Sequence, residues 1–164
     1  MTFSLGFGGM PESVWDYPRP PRVEPTDRRI RVVHRGRVLV DTVRAVRVLE
    51  TSHPPTYYVP VDDVAPGTLA PSGGRRSVCE WKGVASYLDV VVGGERVSRA
   101  AWTFPSPREG YQALEGRVAF YAHALDECWV DDERVAPNEG DFYGGWITAN
   151  VTGPFKGGPG TRLW

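Results

Sequence analysis

The sequence predicts an all-β or mainly β protein, folded as a single domain. Its 164 residues include 19 glycines and 15 prolines, a composition that favours many short strands and turns over long helices. Three segments share the pattern of strand, tight polar turn and strand, and their turns are expected near Arg35–Gly36, Gly93–Gly94 and Asp131–Asp132. Together with the other alternating runs, these hairpins predict about eight to ten short antiparallel strands.

The N-terminal part is set apart from the β domain by its composition. Residues 1–12 are rich in glycine and are expected to be loose. Residues 13–28 contain four prolines, which impose an extended path. This segment is therefore expected to lie over the domain as an arm pinned by Trp15 and Tyr17. The β domain itself is expected over residues 29–164.

Inside the β domain, the same signals assign the remaining elements. Prolines interrupt the chain after the third strand, so the stretch that holds Tyr57 and Tyr58 is expected to be a rigid loop presenting both rings. The one clear helix candidate is short, and Gly116 would end it. In chain order, these elements are a strand over Arg44–Glu50, the loop over Thr51–Val64, a strand over Ser86–Val92, the short helix over Arg108–Leu114 and a strand over Arg117–Leu125.

Charge and cysteine content exclude several classes of function. The formal net charge is −1 and the pI is about 6.3, so the chain lacks the basic footprint of a nucleic-acid binder. No apolar run approaches the ~18 residues that cross a bilayer, and the N-terminus lacks the pattern of a signal peptide. Cys79 and Cys128 have no CxxC partner, which favours a reduced, cytoplasmic setting. The histidines and cysteines also lack zinc-ligand spacing, so neither a metal nor a cofactor is expected.

Lysine is the rarest cation in this chain. Of the 19 basic residues, two are lysines, Lys82 and Lys156, and each follows an aromatic residue and precedes a glycine. A lysine ammonium is a compact charge whose pKa responds to burial, whereas arginine stays protonated. We therefore expect Lys82 to supply the cation of a binding site, with Lys156 the weaker candidate because it lies in a terminal Gly-Pro loop.

Acids and rings close to Lys82 in sequence complete the candidate site. Lys82, Glu50 and Cys79 are the candidate catalytic residues if the site also carries out a reaction, because acid–base and nucleophilic chemistry use these groups. The structural alternatives are a lysine stem packed on a ring, a buried free cysteine and aromatic rings that fill the core. The residues expected to bind a ligand are Glu50, Tyr57, Tyr58, Trp81, Lys82, Tyr87 and Trp102.

Several uncommon short motifs, which occur along the chain in a fixed order, resemble those of one bacterial protein family. They are ESVWDYPRPP, VLETSHPPTYYVP, CEWKGVASY, AWTFPSP, RVAFY and FYGGW, the last followed by GPFKGGPGT and a final Trp, and together they run from about Glu12 to Trp164. They are similar to the family known as domain of unknown function 427. The resemblance implies a β-tent architecture, as in methionine sulfoxide reductase B and the ligand-binding domain of cereblon.

The resemblance also bears on the site in three ways. Cereblon-type domains bind small imide-like ligands in a cage of tryptophans, and Trp81, Trp102 and Trp146 would be the corresponding rings here. Many β-tent proteins hold zinc on two CxxC pairs, which this chain lacks.

The family is sometimes labelled a nucleotidyltransferase, an activity that needs paired carboxylates for Mg²⁺. The adjacent pairs Asp62–Asp63 and Asp131–Asp132 would point to opposite faces on a strand.

The leading functional prediction is a cytoplasmic β domain that binds one small molecule in an aromatic pocket, with Lys82 as the cation and Glu50 as the anion. A rival prediction is a protein-interaction module that uses the proline-rich arm and surface aromatics. A third is the nucleotidyltransferase of the family label. The first requires a concave pocket containing Lys82, the second an exposed apolar patch with Lys82 at its periphery, and the third two carboxylates within reach of one metal ion.

Overall fold

The protein is built mainly from antiparallel strands joined by turns and loops, and a computed structural model describes it over residues 11–140 and 142–164. The strands in chain order are β1 (Glu12–Ser13), β2 (Arg22–Pro25), β3 (Ile30–His34), β4 (Arg37–Thr42), β5 (Val46–Leu49), β6 (Thr56–Pro60), β7 (Leu69–Pro71), β8 (Ser77–Cys79), β9 (Gly83–Val92), β10 (Glu95–Thr103), β11 (Arg117–Phe120), β12 (Glu127–Val130), β13 (Glu133–Arg134), β14 (Ala136–Pro137), β15 (Trp146–Ile147) and β16 (Val151–Thr152).

The all-β prediction is confirmed. Nine of these strands have four residues or more, and the others are short pairings of two or three residues. The helical segments are single 3₁₀ turns at Val14–Asp16, Val61–Asp63, Gln112–Leu114 and Ala122–Ala124, so the helix expected over Arg108–Leu114 shrinks to one turn. In the described part of the chain, no helix has the length and apolar character needed to cross a membrane.

The three predicted hairpin turns are present where the sequence placed them. Arg35 and Gly36 have φ of 50° and 77°, and Gly93 and Gly94 have φ of 60° and 82°. Positive φ at both central residues is what a two-residue turn needs to match the twist of its strands. Asp131 also has a positive φ, of 54°, in the turn between β12 and β13. Local turn chemistry therefore sets these three registers.

The strands form one large and one small sheet. The large sheet has eight strands in the order β2-β5-β6-β11-β10-β9-β7, with β8 also paired to the start of β9. The small sheet has four strands in the order β13-β12-β3-β4. Two further pairings, β14 with β15 and β16 with β1, involve two residues from each strand.

The proline-rich arm is built into the large sheet. Its strand β2 pairs with β5 along the edge, the Tyr17 side chain is buried, and the half-exposed Trp15 donates its indole N–H to the carbonyl of Pro154 at 2.8 Å. Tyr111 donates its hydroxyl proton to the carbonyl of Pro21 at 2.7 Å. The loose segment expected over residues 1–12 lies outside the described residues up to position 10.

The rigid loop expected over Thr51–Val64 contains an interior strand, β6, which pairs with β5 and β11. The prolines permit this because Pro54 and Pro55 precede the strand and Pro60 is its last residue, so no donor is lost from the middle of the ladder. Tyr57 and Tyr58 are therefore neighbours on a strand and point to opposite faces of the sheet.

The large sheet has two buried faces with different roles. One face packs on the small sheet and forms the main core, where Tyr57, Ala101 and Phe120 meet Ile30 and Val32. The opposite face carries a second cluster of side chains from alternate positions of the same strands, including Tyr58, Trp102 and Ala119. The second face holds aromatic residues that line a half-enclosed cavity.

Candidate functional site

A half-enclosed cavity of about 290 Å³ lies on the aromatic face of the large sheet. Its floor is made by side chains of the strands, and its rim is made by four segments that are distant in sequence. The floor residues are Val48, Tyr58, Ala85, Tyr87, Trp102 and Tyr121, and the rim comes from residues 50–54, 77–82, 142–145 and Lys156. A volume of this size is near the lower end of small-molecule sites.

Backbone hydrogen bonds hold the two lysines at this rim. Lys82 lies in the tight turn between β8 and β9. Its backbone carbonyl accepts a hydrogen bond from the backbone N–H of Arg108 at 2.9 Å. Arg108 also donates a guanidinium N–H to the carbonyl of Glu80 at 2.8 Å, so its segment clamps the turn. The backbone N–H of Lys156 donates to the carbonyl of Ser52 at 2.8 Å. Main-chain contacts therefore fix both lysine Cα atoms.

Lys82 and Glu50 form an ion pair inside the cavity. The Lys82 Nζ lies 3.8 Å from the Glu50 Oε1, and the two side chains are 12% and 19% exposed. The Lys82 ammonium also lies 5.9 Å from the centre of the Phe104 ring. Glu50 directly follows β5, which explains how a carboxylate on one edge of the cavity meets a lysine from the β8–β9 turn.

His53 lies beside this pair, with its Nδ1 4.0 Å from the Glu50 Oε2. The same Nδ1 lies 2.9 Å from the carbonyl oxygen of Thr51, which only accepts, so Nδ1 carries a proton. Burial lowers the pKa of His53, and the positive charges of Lys156 and Lys82 act in the same direction against the opposing effect of Glu50. Both lysines are thus close enough to His53 to affect its protonation.

Lys156 has a different environment from Lys82. Its ammonium lies 5.3 Å from the centre of the Tyr143 ring and 3.4 Å from the backbone oxygen of Trp164. Among the side chains that the structure describes, no aspartate or glutamate lies within ion-pair distance of it. The two lysines of the chain therefore meet at one cavity, Lys82 beside the Glu50 carboxylate and Lys156 beside an oxygen of Trp164.

The floor of the cavity is a connected aromatic cluster. Trp102 donates its indole N–H to the Tyr58 hydroxyl at 3.1 Å, and its ring centre lies 4.5 Å from that of Tyr121. Burial raises the pKa of Tyr58, which keeps its hydroxyl protonated. Tyr121 in turn donates its hydroxyl proton to the carbonyl of Phe142 at 2.8 Å. These contacts join the strands of the floor to the 142–145 rim.

Two glycines allow that rim to approach the floor. A Cβ on Gly144 would collide with the six-membered ring of Trp102, and a Cβ on Gly145 would collide with the backbone of Pro54. The next residue, Trp146, is buried on the other side and donates its indole N–H to the carbonyl of Phe120 at 2.9 Å. The Gly-Gly-Trp segment thus serves as a close-packed wall.

Most of the residues expected at the site line this one cavity, namely Glu50, Tyr58, Cys79, Trp81, Lys82, Tyr87 and Trp102. Tyr57 does not, because strand alternation turns it into the main core, where its ring centre lies 5.6 Å from that of Trp146. The cage of three tryptophans implied by the resemblance does not form either. Trp81 and Trp102 line the cavity, but Trp146 lies behind the sheet.

Sequence reasoning missed several residues of the site. His53, Phe104, Tyr121 and Tyr143 line the cavity but were not among the expected ligand-binding residues, and Lys156 was ranked low. The shared aromatic–lysine–glycine frame was a usable signal for Lys156. For the others, the signal lies in the order of the strands, which brings β11 beside β10 and places Tyr121 next to Trp102.

The adjacent acid pairs do not build a metal centre. Asp63 accepts hydrogen bonds from the Arg44 guanidinium and the Thr42 hydroxyl, while Asp131 accepts one from the backbone N–H of Arg29. Within residues 11–140 and 142–164, no three His, Cys, Asp or Glu side chains converge closely enough to hold a metal ion.

The fold and the cavity together define an all-β domain with an aromatic pocket whose rim is charged. The chain belongs to the family described as a domain of unknown function (DUF427), whose sequence profile matches residues 22–131. The matched segment contains Glu50, Lys82 and Trp102, whereas Tyr143 and Lys156 lie beyond it. A comparison with curated proteins finds no match.

Proposed function

We propose that the protein binds a small molecule in the cavity on the large sheet, with the Lys82 ammonium as its charged anchor. The observation that carries this proposal is that both lysines of the chain line one aromatic cavity together with Glu50. Four rim segments distant in sequence contribute to that arrangement. Such convergence of polar groups in an apolar concavity is typical of a ligand site.

The energetics of the ion pair support binding over a purely structural role. Removing two charges from water opposes folding, and replacing a buried ion pair by apolar residues of similar volume often leaves a protein equally stable or more stable. Lys82 and Glu50 are mostly buried, yet they border empty space on the cavity side. A charge held next to such a space is available to a ligand that brings a complementary group.

The same geometry favours a pocket over the rival functions. A docking surface would place Lys82 at the periphery of an exposed patch, whereas its side chain is 12% exposed within the cavity. The proline-rich arm pairs with β5 as an edge strand.

Binding without an assigned reaction is the function that the contacts support. Cys79 shares the cavity wall, but within the described residues no hydrogen bond joins its thiol to Lys82 or His53. Cys79 and Cys128 are both free thiols, and we place the protein in a reducing, cytoplasmic setting on that basis.

The test is a thermal-shift screen of the purified protein with a panel of small carboxylates, imides, pyrimidines, quaternary amines and nucleotides with and without Mg²⁺. A ligand at about 100 times its Kd adds about 2.7 kcal/mol, which corresponds to a shift of about 5–10 °C for a chain of this size. Lys82→Met should abolish the shift. Arg37→Met is the matched control, because it removes an exposed positive charge from the small sheet.

A hit that is retained in Arg37→Met and lost in a folded Lys82→Met supports the pocket and names its ligand class. A hit that survives in Lys82→Met places binding elsewhere and refutes the proposal. The proposal also fails if no compound shifts the wild-type protein while Lys82→Met is strongly destabilised, because Lys82 would then be a structural residue.

A further inference from the structure

We infer that the proline-rich arm positions the acidic side of the cavity, so that Glu50 and His53 lie at its rim only while the arm is docked. The arm contacts the rim from behind, through the turn formed by residues 50–53. This inference deepens the proposed function, because it names the residues that position the same site. It concerns the protein without a ligand, and its test therefore does not depend on finding one.

Residues 50–53 form a tight turn that places two titratable side chains at one point of the rim. The backbone N–H of His53 donates to the carbonyl of Glu50 at 3.0 Å, and both side chains line the cavity. Between them, Ser52 is fully buried, has a φ of 72°, and its hydroxyl has no hydrogen-bond partner within the described residues. A residue other than glycine keeps this left-handed conformation where the surrounding structure holds it. The turn therefore needs support from other segments.

Three hydrogen bonds between the turn and the arm supply that support. The backbone N–H of Ser52 donates to the carbonyl of Val14 at 3.0 Å. The backbone N–H of Thr51 donates to the carbonyl of Pro18 at 3.2 Å, and the Thr51 hydroxyl donates to the carbonyl of Tyr17 at 2.6 Å. Both central residues of the turn are thus bonded to the arm.

The arm also holds the segment that carries Lys156. The indole N–H of Trp15 donates to the carbonyl of Pro154 at 2.8 Å, two residues before Lys156. The backbone N–H of Lys156 in turn donates to the carbonyl of Ser52 at 2.8 Å. Hydrogen bonds therefore link the arm, the turn and the Lys156 segment to one another.

An apolar cluster of the same segments lies behind the rim. Val14 and Tyr17 of the arm are buried in it together with Leu49, which directly precedes the turn. Phe155, which directly precedes Lys156, packs against this cluster. These four apolar or aromatic side chains are not among those that line the cavity. A substitution at Val14 should therefore loosen the arm without changing the cavity wall itself.

The Lys82 side of the cavity is held in a different way. Arg108 fixes the β8–β9 turn that carries Lys82, and in the described part of the chain no hydrogen bond or ion pair joins residues 13–19 to that turn. Undocking of the arm should therefore release the turn of residues 50–53 and the Lys156 segment, while Lys82 stays in place. Any event that displaces the arm would dismantle one side of the pocket and leave the other.

The pKa of His53 reports on this arrangement. Burial is the main cause that lowers it, and the charges of Lys156 and Lys82 lower it further. Glu50 opposes them, and the Tyr143 ring packs against the imidazole. Loosening the arm should expose the imidazole to water, whereas Glu50 would move with it in the same turn. The pKa of His53 should then rise toward its ordinary value of about 6.5.

The experiment is an NMR titration of protein labelled with [¹³Cε1]histidine, in which His53→Gln identifies the His53 signal. Val14→Ala truncates a buried side chain of the arm. Thr51→Val removes the hydroxyl that bonds to Tyr17 and nearly keeps the shape of the side chain, whereas Thr51→Ser retains the hydroxyl. Val32→Ala is the matched control, because Val32 is equally buried but lies in the small sheet.

Val14→Ala and Thr51→Val should raise the pKa of His53, whereas Thr51→Ser and Val32→Ala should keep the wild-type value. In protein labelled with [¹³Cε]lysine, the Lys156 signal should move in the first two variants and the Lys82 signal should not. A pKa of His53 that rises only when the arm is loosened cannot come from a general loss of stability.

Several outcomes would overturn the inference. If Val14→Ala and Thr51→Val lower Tm but leave the pKa of His53 unchanged, the arm only stabilises the fold. An equal rise of the pKa in Val32→Ala, or a Lys82 signal that moves as far as that of Lys156, would show general loosening instead. Should Val14→Ala fail to fold, the comparison of Thr51→Val with Thr51→Ser decides. The ligand screen is independent of these results, so the proposed function and this inference can fail separately.

Discussion

The hydrogen bond between Trp102 and Tyr58 offers a sharp test of how the floor of the pocket is held together. Tyr58 is almost fully buried, and its hydroxyl accepts the indole N–H of Trp102 at 3.1 Å. Tyr58→Phe removes the acceptor and leaves both rings in place. The indole N–H then has no partner among the side chains that the structure describes.

The expected loss of stability follows from that unsatisfied donor. A typical net hydrogen bond contributes about 0.5–1.5 kcal/mol, and leaving a buried donor without a partner costs about 1–3 kcal/mol. Water in the adjacent cavity can reach part of this group, because both residues line it. We therefore expect the free energy of unfolding to fall by about 1–2 kcal/mol, which lowers Tm by about 2–8 °C for a chain of this length.

Chemical denaturation monitored by far-UV circular dichroism is the assay, with the free energy of unfolding obtained by linear extrapolation. Tyr143→Phe is the matched control, since the ring of Tyr143 contacts Phe142, His53 and Lys156 and its hydroxyl makes no hydrogen bond in the described structure. The control should change the free energy of unfolding by less than about 0.5 kcal/mol. Equal stability of Tyr58→Phe and wild type, or an equal loss in both variants, would refute the reasoning.

Three further predictions concern the same site. Gly144→Ala should lower the free energy of unfolding by about 1–3 kcal/mol, because the methyl group of the new alanine would collide with the Trp102 ring. If denaturant melts show the variant to be as stable as the wild type, that packing is contradicted. Burial lowers the pKa of His53, so below about pH 6.5 the unfolded chain binds more protons than the folded one, and the protein loses stability as the pH falls through that value. In thermal melts across this pH range, Tm of His53→Gln should decline less steeply than Tm of the wild type. Equal slopes of Tm against pH in the two proteins would contradict this prediction. Burial raises the pKa of the Cys128 thiol to about 12, whereas Cys79 lines the cavity. A thiol reagent should therefore label Cys79 alone in the native protein and both cysteines after unfolding. Labelling of both cysteines in the native protein would show that the core opens.

The strands and their turns could be predicted from local sequence. Alternation of apolar residues and turn pairs such as Arg35–Gly36 predict where the hairpins turn, and the structure has those turns; the bulge between Val32 and Val33 was not predictable from them. The interior strand β6 escaped prediction because its prolines suggested a loop. Their positions, before the strand and at its last residue, remove no hydrogen bond from the middle of the ladder.

The site could be predicted only in part, for a physical reason. Glu50 and Lys82 were singled out by residue type and by nearness to strand ends, and the structure places them 3.8 Å apart. Tyr57 was expected beside Tyr58, but neighbouring strand residues point to opposite faces, so only one of the two can line the cavity. That alternation applies to any strand, and the assignment failed because the segment was taken for a loop.

Convergence across the chain is the part that local patterns do not contain. Lys156 reaches the cavity because its backbone bonds to Ser52, a contact between segments that are far apart in sequence. Trp146 is turned away from the cavity because β15 pairs with β14 and its indole N–H bonds to Phe120. Both outcomes depend on strand order and chain crossing, which residue type and spacing do not specify.

The central claim is that a small molecule binds in the cavity that both lysines line, and the chain's lysine content allows a direct measurement. Selective labelling with [¹³Cε]lysine gives two side-chain signals, one from Lys82 and one from Lys156, which Lys82→Arg and Lys156→Arg assign. Titration with the compound that gives the largest Lys82-dependent thermal shift should move the Lys82 signal, with the dissociation constant found by calorimetry. Binding detected by calorimetry with neither lysine signal moving would contradict the account, because the ligand would then lie outside the cavity.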